Sequence, residues 1–225
     1  CIMYYAFKRI FDILCSGVAI LILRPLLIPV IIGLSLTGEG QVWYRQERLG
    51  YLNKPFFIWK FATMLKNSAN MPGGYLTLKN DPRLTPMGGF LRKSKINELP
   101  QLFNIFTGQM SVVGPRPVMK VSFEAYPDNV KKVIYDVKPG LTGIGSIIFR
   151  DEEELITDVN NRGGDVGDFY ENKIYPHKGK LELWYQKNKS LILDFQIIII
   201  TACVVIDSES KIYEKWFKDL PKRSF

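Results

Sequence analysis

A long apolar stretch near the amino terminus constrains this chain more than any other feature. It runs from Phe11 to Leu36 and has the length of a transmembrane helix, but Arg24 and Pro25 lie at its centre. A charge at the bilayer midplane costs about 2.5–3.5 kcal/mol, and proline interrupts the hydrogen-bond ladder of a helix. A straight membrane-spanning helix is therefore disfavoured.

The two apolar arms on either side, Ile13 to Leu23 and Leu26 to Leu36, contain 11 residues each. An arm of that length covers about 16 Å of a hydrocarbon core that is about 30 Å thick, so neither arm crosses alone. Basic residues flank the stretch on both sides, which keeps both flanks on the cytoplasmic face. The pattern predicts a re-entrant helix-break-helix anchor over residues 1–40, with Arg24 and Pro25 at the bend. A buried hairpin of a soluble protein and a cleaved signal sequence are the alternatives.

The carboxyl-terminal part of the chain is also apolar. Within Leu191 to Ile206, the 10 residues from Ile197 are apolar except for Thr201, and this run is too short to span a membrane. In residues 207–225, apolar side chains share one helical face and lysines lie elsewhere. This pattern predicts an interfacial amphipathic helix on anionic lipid. The alternative is an amphipathic helix that packs on the core.

The region between these ends, residues 41–206, is predicted to be the cytoplasmic body of the protein. Gln41 to Arg48 and Pro55 to Lys60 are rich in β-forming residues and flank a turn, so we expect a β-hairpin. Val121 to Val137 has helical periodicity, and Pro127 should divide it into two short helices. The predicted fold is α+β and mostly helical, in a monotopic membrane protein with a re-entrant anchor, a small β-hairpin and interfacial amphipathic helices.

Two stretches rich in glycine and polar residues predict loops. Met71 to Asn80 contains a Pro-Gly-Gly sequence, and Val159 to Gly167 is rich in Asn, Gly and Asp. The net charge of +8 favours anionic partners, either phosphorylated substrates or an acidic membrane. No helix-turn-helix, zinc or aromatic-basic pattern accompanies this charge, so no nucleic-acid partner is predicted. The three cysteines are widely separated, which favours free thiols in a reducing compartment.

The stretch from Leu91 to Pro117 combines several features of a diphosphate site. Asn97 is the predicted cap of a helix whose first turn contains Glu98, and a basic cluster, Arg92 with two lysines, comes just before it. The start of a helix and its basic neighbours favour a bound phosphate. Downstream, Pro115 and Pro117 should hold Arg116 in extended geometry, where its guanidinium can make a bidentate phosphate contact.

An ordered series of short motifs gives this sequence a family resemblance. The motifs are Gln46-Glu47-Arg48-Leu49-Gly50, Lys60-Phe61, Asn80-Asp81-Pro82-Arg83-Leu84-Thr85, Leu91-Arg92-Lys93-Ser94, Glu98-Leu99-Pro100-Gln101-Leu102, Gly114-Pro115-Arg116-Pro117 and Lys138-Pro139-Gly140-Leu141-Thr142-Gly143. Together they resemble the bacterial sugar transferase family, the monotopic phosphoglycosyl transferases that begin polysaccharide and glycoconjugate assembly. The resemblance covers roughly residues 5–206 and corresponds to the short catalytic form of the family. It implies that residues 41–206 are the cytoplasmic catalytic domain.

The resemblance implies an activity at the cytoplasmic face of the bacterial inner membrane. A sugar-1-phosphate would pass from a UDP-sugar to polyprenol phosphate, with release of UMP. It also implies Mg²⁺ and a covalent phosphosugar intermediate on an aspartate that is followed by glutamate. Membrane phospholipid is a further expected partner, and a long apolar surface near the membrane is compatible with a homodimer.

The acceptor that the resemblance implies is undecaprenyl phosphate, which is a polyprenol phosphate, and the donor is a UDP-sugar. The positions that match the family's motifs give the candidate site residues. The catalytic pair is Asn97 and Glu98. The substrate-binding set consists of basic, proline and hydroxyl residues, namely Arg48, Lys60, Arg83, Arg92, Pro115, Arg116, Pro117, Lys138 and Thr142. The expected ligands of Mg²⁺ are Asn97, Glu98 and Asp81.

Asn97 is the largest departure from the family's pattern, because it stands where the family has the nucleophilic aspartate. An amide is uncharged and a poor nucleophile toward phosphorus, so the covalent route cannot run through it. Four interpretations follow: an engineered trap, Glu98 as the nucleophile, direct transfer with Glu98 as base or metal ligand, or an inactive protein. A catalytically silent membrane-bound adaptor is therefore the alternative function. The motifs do not identify the donor sugar.

Overall fold

The computed structural model describes residues 2–71, 81–207 and 210–225. Its helices, in chain order, are α1 (Ile2–Leu36), α2 (Gly88–Lys93), α3 (Gln101–Thr107), α4 (Lys120–Glu124), α5 (Asp128–Lys131), α6 (Ile144–Ile148), α7 (Glu152–Asn161), α8 (Val166–Phe169), α9 (Tyr175–Asn188), α10 (Leu191–Ile206) and α11 (Ile212–Trp216). The strands are β1 (Trp43–Leu49), β2 (Pro55–Phe61), β3 (Ser111–Val113) and β4 (Gly140–Thr142). The fold is mostly helical α+β with a small antiparallel hairpin, as predicted.

The long helix α1 corrects one detail of the predicted anchor. It is a single helix of 35 residues with Pro25 and Pro29 inside it, so the residues around Arg24 stay helical where a break was predicted. A proline removes one backbone donor and bends a helix, but the turns on either side can continue. Residues 3–36 are long and apolar enough to cross a membrane, by length and composition.

One face of α1 packs on the rest of the protein along almost its whole length. Near the amino terminus, Lys8 is buried and forms an ion pair with Asp194 of α10. Near the carboxyl-terminal end of α1, Leu27 and Leu34 belong to a buried cluster that includes Phe61 of β2. The opposite face exposes large apolar side chains, among them Phe7, Ile10, Leu14, Val18, Leu21, Ile22, Ile28 and Ile32. Such a face is typical of contact with lipid.

The two short sheets position the polar side chains of the next section. In the hairpin, β1 and β2 pair antiparallel, with Tyr44 opposite Lys60 and Arg48 opposite Phe56. Arg48 and Lys60 therefore point to the same side, because side chains alternate along a strand. The strands β3 and β4 pair in parallel. Gly114 follows β3, where a Cβ atom would lie 2.4 Å from the carbonyl oxygen of Lys138, so only glycine permits this close approach.

The helical predictions for the middle of the chain were largely confirmed. The region from Val121 to Val137 forms the short helices α4 and α5, and Pro127 lies between them. The predicted loop from Val159 to Gly167 was wrong at both ends, because α7 continues to Asn161 and α8 begins at Val166. Most of the predicted loop from Met71 to Asn80 lies outside the described residues.

The carboxyl-terminal segment differs from the predicted amphipathic helix. Helix α11 contains 5 residues, far fewer than a helix over residues 207–225 requires. Phe217 and Leu220, which were expected to face lipid, are buried in the main core together with residues of α6, α9 and α10. The ion pair between Arg223 and Asp151 fixes the end of the segment. The apolar side chains therefore serve packing on the core, which was the alternative.

Candidate active site

The candidate site is centred on the carboxylate of Glu98. Its Oε1 atom lies 2.8 Å from Nη2 of Arg116 and 3.7 Å from Nζ of Lys60. The Glu98 side chain is 14% exposed, so both ion pairs are shielded from water on the glutamate side. Three residues that are far apart in the sequence, Lys60, Glu98 and Arg116, thus meet at one oxygen atom, and we call them the Glu98 group.

Each member of this group lies on a different element. Lys60 is part of β2, and Glu98 ends a 3₁₀ turn, Ile96–Glu98, that precedes α3. Arg116 lies in the loop between β3 and α4. The hydroxyl of Tyr135 holds this loop, because it donates to the carbonyl oxygen of Arg116 at 2.9 Å and accepts from the backbone N–H of Val118 at 3.0 Å.

The surrounding charges keep Glu98 ionised. Burial by itself would raise the pKa of its carboxyl group, but the positive charges of Arg116, Lys60 and Lys95 outweigh burial and hold that pKa well below its usual range. A carboxylate with so low a pKa is a weak proton acceptor. Glu98 is therefore suited to orient cations or bind a metal ion, and poorly suited to act as a general base.

Lys60 shows the opposite effect. Burial is the main cause that lowers its pKa to about 7, and the positive charges of Arg116, Arg48 and Arg92 act in the same direction, against the attraction of Glu98. Burial also lowers the pKa of Lys95. Several cations are thus held close together with one carboxylate between them. A bound phosphate group would reduce the repulsion between these positive charges.

Arg48 lies on the same side of the hairpin as Lys60. Its Nη2 atom donates to Oε1 of Gln46 at 2.6 Å, and its Nη1 atom lies 3.5 Å from the carbonyl oxygen of Pro117. Burial and the nearby charge of Arg116 lower its pKa to about 10. The Nε atom of Arg48 is buried and has no hydrogen-bond partner within the described part of the chain. The guanidinium therefore retains a donor for a ligand.

Asn97 does not cap the helix, so that prediction was wrong. The cap position of α3 is Pro100, which has no side-chain oxygen to offer. The Asn97 side chain is buried, with 7% exposure, and its Oδ1 atom has no hydrogen-bond partner among the described residues. A buried acceptor without a partner costs about 1–3 kcal/mol. This oxygen is thus an available ligand beside Glu98.

The remaining predicted metal ligand, Asp81, is already engaged. Its two carboxylate oxygens accept from Nε and Nη2 of Arg83 at 2.9 and 2.6 Å. Both side chains are buried, and Arg83 lowers the pKa of Asp81. The positive charge of Arg92 contributes to the lowered pKa of Asp81 and to that of Lys60, so Arg92 is close enough to act on both. No group of three or more His, Cys, Asp or Glu side chains suited to a metal ion occurs in the described ranges.

Two predicted substrate-binding residues lie elsewhere. The charged neighbours that act on Lys138 are Arg9 and Asp12 of α1, and not Glu98. The hydroxyl of Thr142 lies 2.7 Å from that of Thr201 in α10, so it ties β4 to the core. Pro115 has a supporting role, since its carbonyl oxygen accepts from the N–H of Gly140 at 2.8 Å.

The sequence prediction omitted two residues that shape the site. Lys95 was part of the basic cluster but was not among the proposed site residues, and its φ of 60° is a left-handed conformation that is unusual for lysine. Tyr135 lies outside every motif, and no pattern in the sequence indicates that its hydroxyl reaches back to residue 116. Its role follows only from the hydrogen bonds in the structure.

Comparison with known proteins gives a consistent set of similarities. The family model described as bacterial sugar transferase matches residues 3–208. The chain is 34% identical over 213 residues to an undecaprenyl-phosphate galactose phosphotransferase of Salmonella typhimurium. The aligned region covers 88% of this chain and 40% of that protein. It is also 37% identical over 166 residues to the exopolysaccharide production protein ExoY of Rhizobium meliloti. That aligned region covers 68% of this chain and 73% of the relative.

A third relative is the UDP-glucose:undecaprenyl-phosphate glucose-1-phosphate transferase of Klebsiella pneumoniae. It is 34% identical to this chain over 201 residues, or 87% of this chain and 39% of that protein. This chain thus spans about two fifths of the length of the Salmonella and Klebsiella relatives. The Glu98 group lies within the residues that the family model matches.

Proposed function

Because the chain belongs to the bacterial sugar transferase family, we propose that it transfers a sugar-1-phosphate from a UDP-sugar to undecaprenyl phosphate and releases UMP. The observation that carries this proposal is the Glu98 carboxylate, held by Arg116 and Lys60 and surrounded by further cations. Such a group can bind a diphosphate and stabilise the negative charge that gathers on phosphorus during attack. The relatives named for undecaprenyl phosphate support the choice of acceptor.

We infer a direct transfer for this chain. An oxygen of the acceptor phosphate attacks the β-phosphorus of the donor, a new P–O bond forms, and the bond to the bridging oxygen breaks as UMP leaves. The acceptor needs no general base, since a phosphate monoester has a second pKa of about 6 and is largely ionised at neutral pH. This suits a site in which Glu98 is a weak base and Asn97 cannot act as a nucleophile.

The residues present fit a magnesium ion bound mainly by the donor diphosphate. Mg²⁺ in such sites commonly takes one or two protein ligands and several phosphate oxygens. Asn97 offers a buried Oδ1 atom without a partner, and Glu98 offers the adjacent carboxylate. Asp81 fits less well because Arg83 occupies both of its oxygens. When bound, the ion would neutralise charge on the phosphate oxygens.

We propose that α1 is a re-entrant anchor at the cytoplasmic face of the inner membrane. Its first turns are joined to the body by Lys8 and Asp194, and its last turns by the contacts of Leu27 and Leu34 with the cluster around Phe61. A spanning helix would carry one of these ends about 30 Å away from a body on one side of the membrane. Contacts at both ends therefore favour an anchor that enters and leaves by the same face.

The topology can be tested by labelling with a membrane-impermeant maleimide. Tyr5→Cys and Thr37→Cys would be made separately in a background without the natural cysteines. We expect both positions to be labelled in inside-out vesicles and neither in intact spheroplasts. Labelling of Tyr5→Cys in intact spheroplasts would show that α1 crosses the membrane and would refute the re-entrant anchor.

The activity is tested by UMP release in nanodiscs with Mg²⁺, undecaprenyl phosphate and a panel of UDP-sugars. We expect Glu98→Gln to lower the rate by about 100-fold or more, because Arg116 and Lys60 lose their counter-charge. Glu124→Gln is the matched control, since Glu124 is exposed and lies outside the site. No UMP from any donor, with either this chain or its Asn97→Asp variant, would contradict the proposal and support a silent adaptor.

The route is tested by intact mass after incubation with the donor alone. Direct transfer predicts no mass increase in this chain. A phosphosugar adduct on Glu98 would replace direct transfer by a covalent route through that residue. Asn97→Asp restores a carboxylate at the family's nucleophile position, so an adduct in that variant alone would show that the surrounding groups still support the covalent chemistry.

A further inference from the structure

A cleft between the first part of α1 and the start of α10 has no assigned role. Its volume is about 260 Å³, and Phe7, Ile10 and Leu14 of α1 line one side of it. Leu191 and Phe195 of α10 line the other side. The rings of Phe11 and Phe195 meet edge to face, with centroids 5.0 Å apart, and join the two helices.

The cleft presents almost no free polarity to a ligand, although three charged residues line it. Lys8 is paired with Asp194 at 2.6 Å, and Asp194 also accepts from the hydroxyls of two tyrosines. Asp12 accepts from the hydroxyl of Ser111 at 3.0 Å and from the N–H of Val112 at 2.8 Å. Because these carboxylates are satisfied within the protein, the cleft favours an apolar occupant.

The cleft lies close to the candidate active site along the chain. Val112 and Val113 of β3 form part of its wall. Arg116, which binds Glu98, follows Val113 by three residues, so the two Cα atoms are at most about 11 Å apart. A hydrocarbon chain attached to a phosphate at Arg116 therefore has only a short distance to cover to reach the wall of the cleft.

We propose that this cleft binds the first isoprene units of the polyprenyl phosphate acceptor, an inference that rests on the proposed function. Ile10, Leu14 and Phe195 at the cleft are each at least half exposed, and the apolar outer face of α1 continues from them. The isoprenoid chain can thus enter from the lipid side while its phosphate stays beside Arg116 and Lys60. The buried pair of Lys8 and Asp194 fixes the spacing of the two helices that form the walls.

The test uses a polyprenyl phosphate with a diazirine group in its third isoprene unit, in nanodiscs without donor. We expect labelled peptides from residues 7–14 and 191–195, and we expect undecaprenyl phosphate, but not phosphatidic acid, to suppress the labelling. Leu14→Trp fills the mouth of the cleft, so the lipid loses its apolar contacts there. This variant should lower the specific labelling about tenfold. Leu21→Trp is the matched control, because Leu21 is exposed on α1 outside the cleft.

Each result decides the proposal. Labelling outside these peptides, equal suppression by phosphatidic acid, or unchanged labelling of Leu14→Trp would overturn it, and a native melting temperature checks that this variant folds. A rise in KM for the long-chain acceptor, with an unchanged KM for the UDP-sugar, would support it. Specific labelling without UMP release from any donor would refute the proposed activity but support the cleft as a lipid-binding site. UMP release without specific labelling would refute only the cleft.

Discussion

Lys60 should make donor binding depend on pH in a measurable way. Its pKa is about 7 in the free protein, chiefly because the ammonium group is buried. Lysine carries its charge when protonated, so this charge is lost as pH rises through 7. With that pKa, about half of the molecules carry the charge at pH 7.0 and about 3% at pH 8.5. A bound diphosphate requires the charged form and should return the pKa toward the usual value of a lysine.

The magnitude follows from these populations. Affinity for a UDP-sugar should fall about 15-fold from pH 7.0 to pH 8.5, which corresponds to about 1.6 kcal/mol of binding free energy. Binding should also take up about half a proton at pH 7.0 and nearly one at pH 8.5, since the bound lysine is protonated at both. The diphosphate of a UDP-sugar has no terminal phosphate monoester, so it does not titrate near pH 6 as a monoester does.

Isothermal titration calorimetry without the acceptor, in buffers of different ionisation enthalpy, measures this proton uptake. Lys60→Arg keeps a permanent charge, so its proton uptake should be close to zero and its affinity nearly independent of pH. Lys54→Arg is the matched control, because Lys54 is exposed in the hairpin turn and should leave the uptake unchanged. Proton uptake near zero for the unmodified chain at both pH values would refute the assignment of Lys60 to the donor phosphate.

Two further substitutions test the supports of the site. Tyr135→Phe should destabilise the protein by about 1–3 kcal/mol in urea unfolding, because the N–H of Val118 loses its partner, and should lower the rate of UMP release because the Arg116 loop loosens. Asp194→Asn leaves Lys8 buried without a charge partner and should cost about 3–5 kcal/mol. Asp158→Asn, which removes an exposed ion pair, should change the stability by less than about 0.5 kcal/mol; equal effects of the two asparagine variants would refute the importance of the buried pair.

The elements that local sequence determines could be predicted. The hairpin followed from two β-rich runs around a turn, and the division of residues 121–137 followed from Pro127. The continuity of α1 through Pro25 and Pro29 could not be predicted in the same way, because proline limits a helix without always ending it. The carboxyl-terminal apolar residues fit lipid and core equally well as a pattern, and only the tertiary contacts of Phe217 and Leu220 decide between the two.

The candidate site was predicted as a set of residues and not as a geometry. Glu98 and Arg116 are separated by 18 residues, and their pairing depends on how β3 and the 3₁₀ turn are placed. Lys138 belongs to a motif of the same family resemblance, yet its charged neighbours are on α1. Membership of a motif therefore indicates that a residue matters without showing whether it contacts substrate or supports the fold.

Asn97 illustrates why the binding and nucleophilic parts of the site must be considered separately. The contacts that organise the cations involve Glu98, Arg116 and Lys60, and none of these contacts uses the Asn97 side chain. The proposed diphosphate site therefore does not depend on a nucleophile at position 97. The buried Oδ1 atom of Asn97 also carries a desolvation cost that no protein group offsets within the described residues, and a bound cation or substrate donor would remove it. A chain that had lost all function would gain stability by replacing this amide with an apolar side chain.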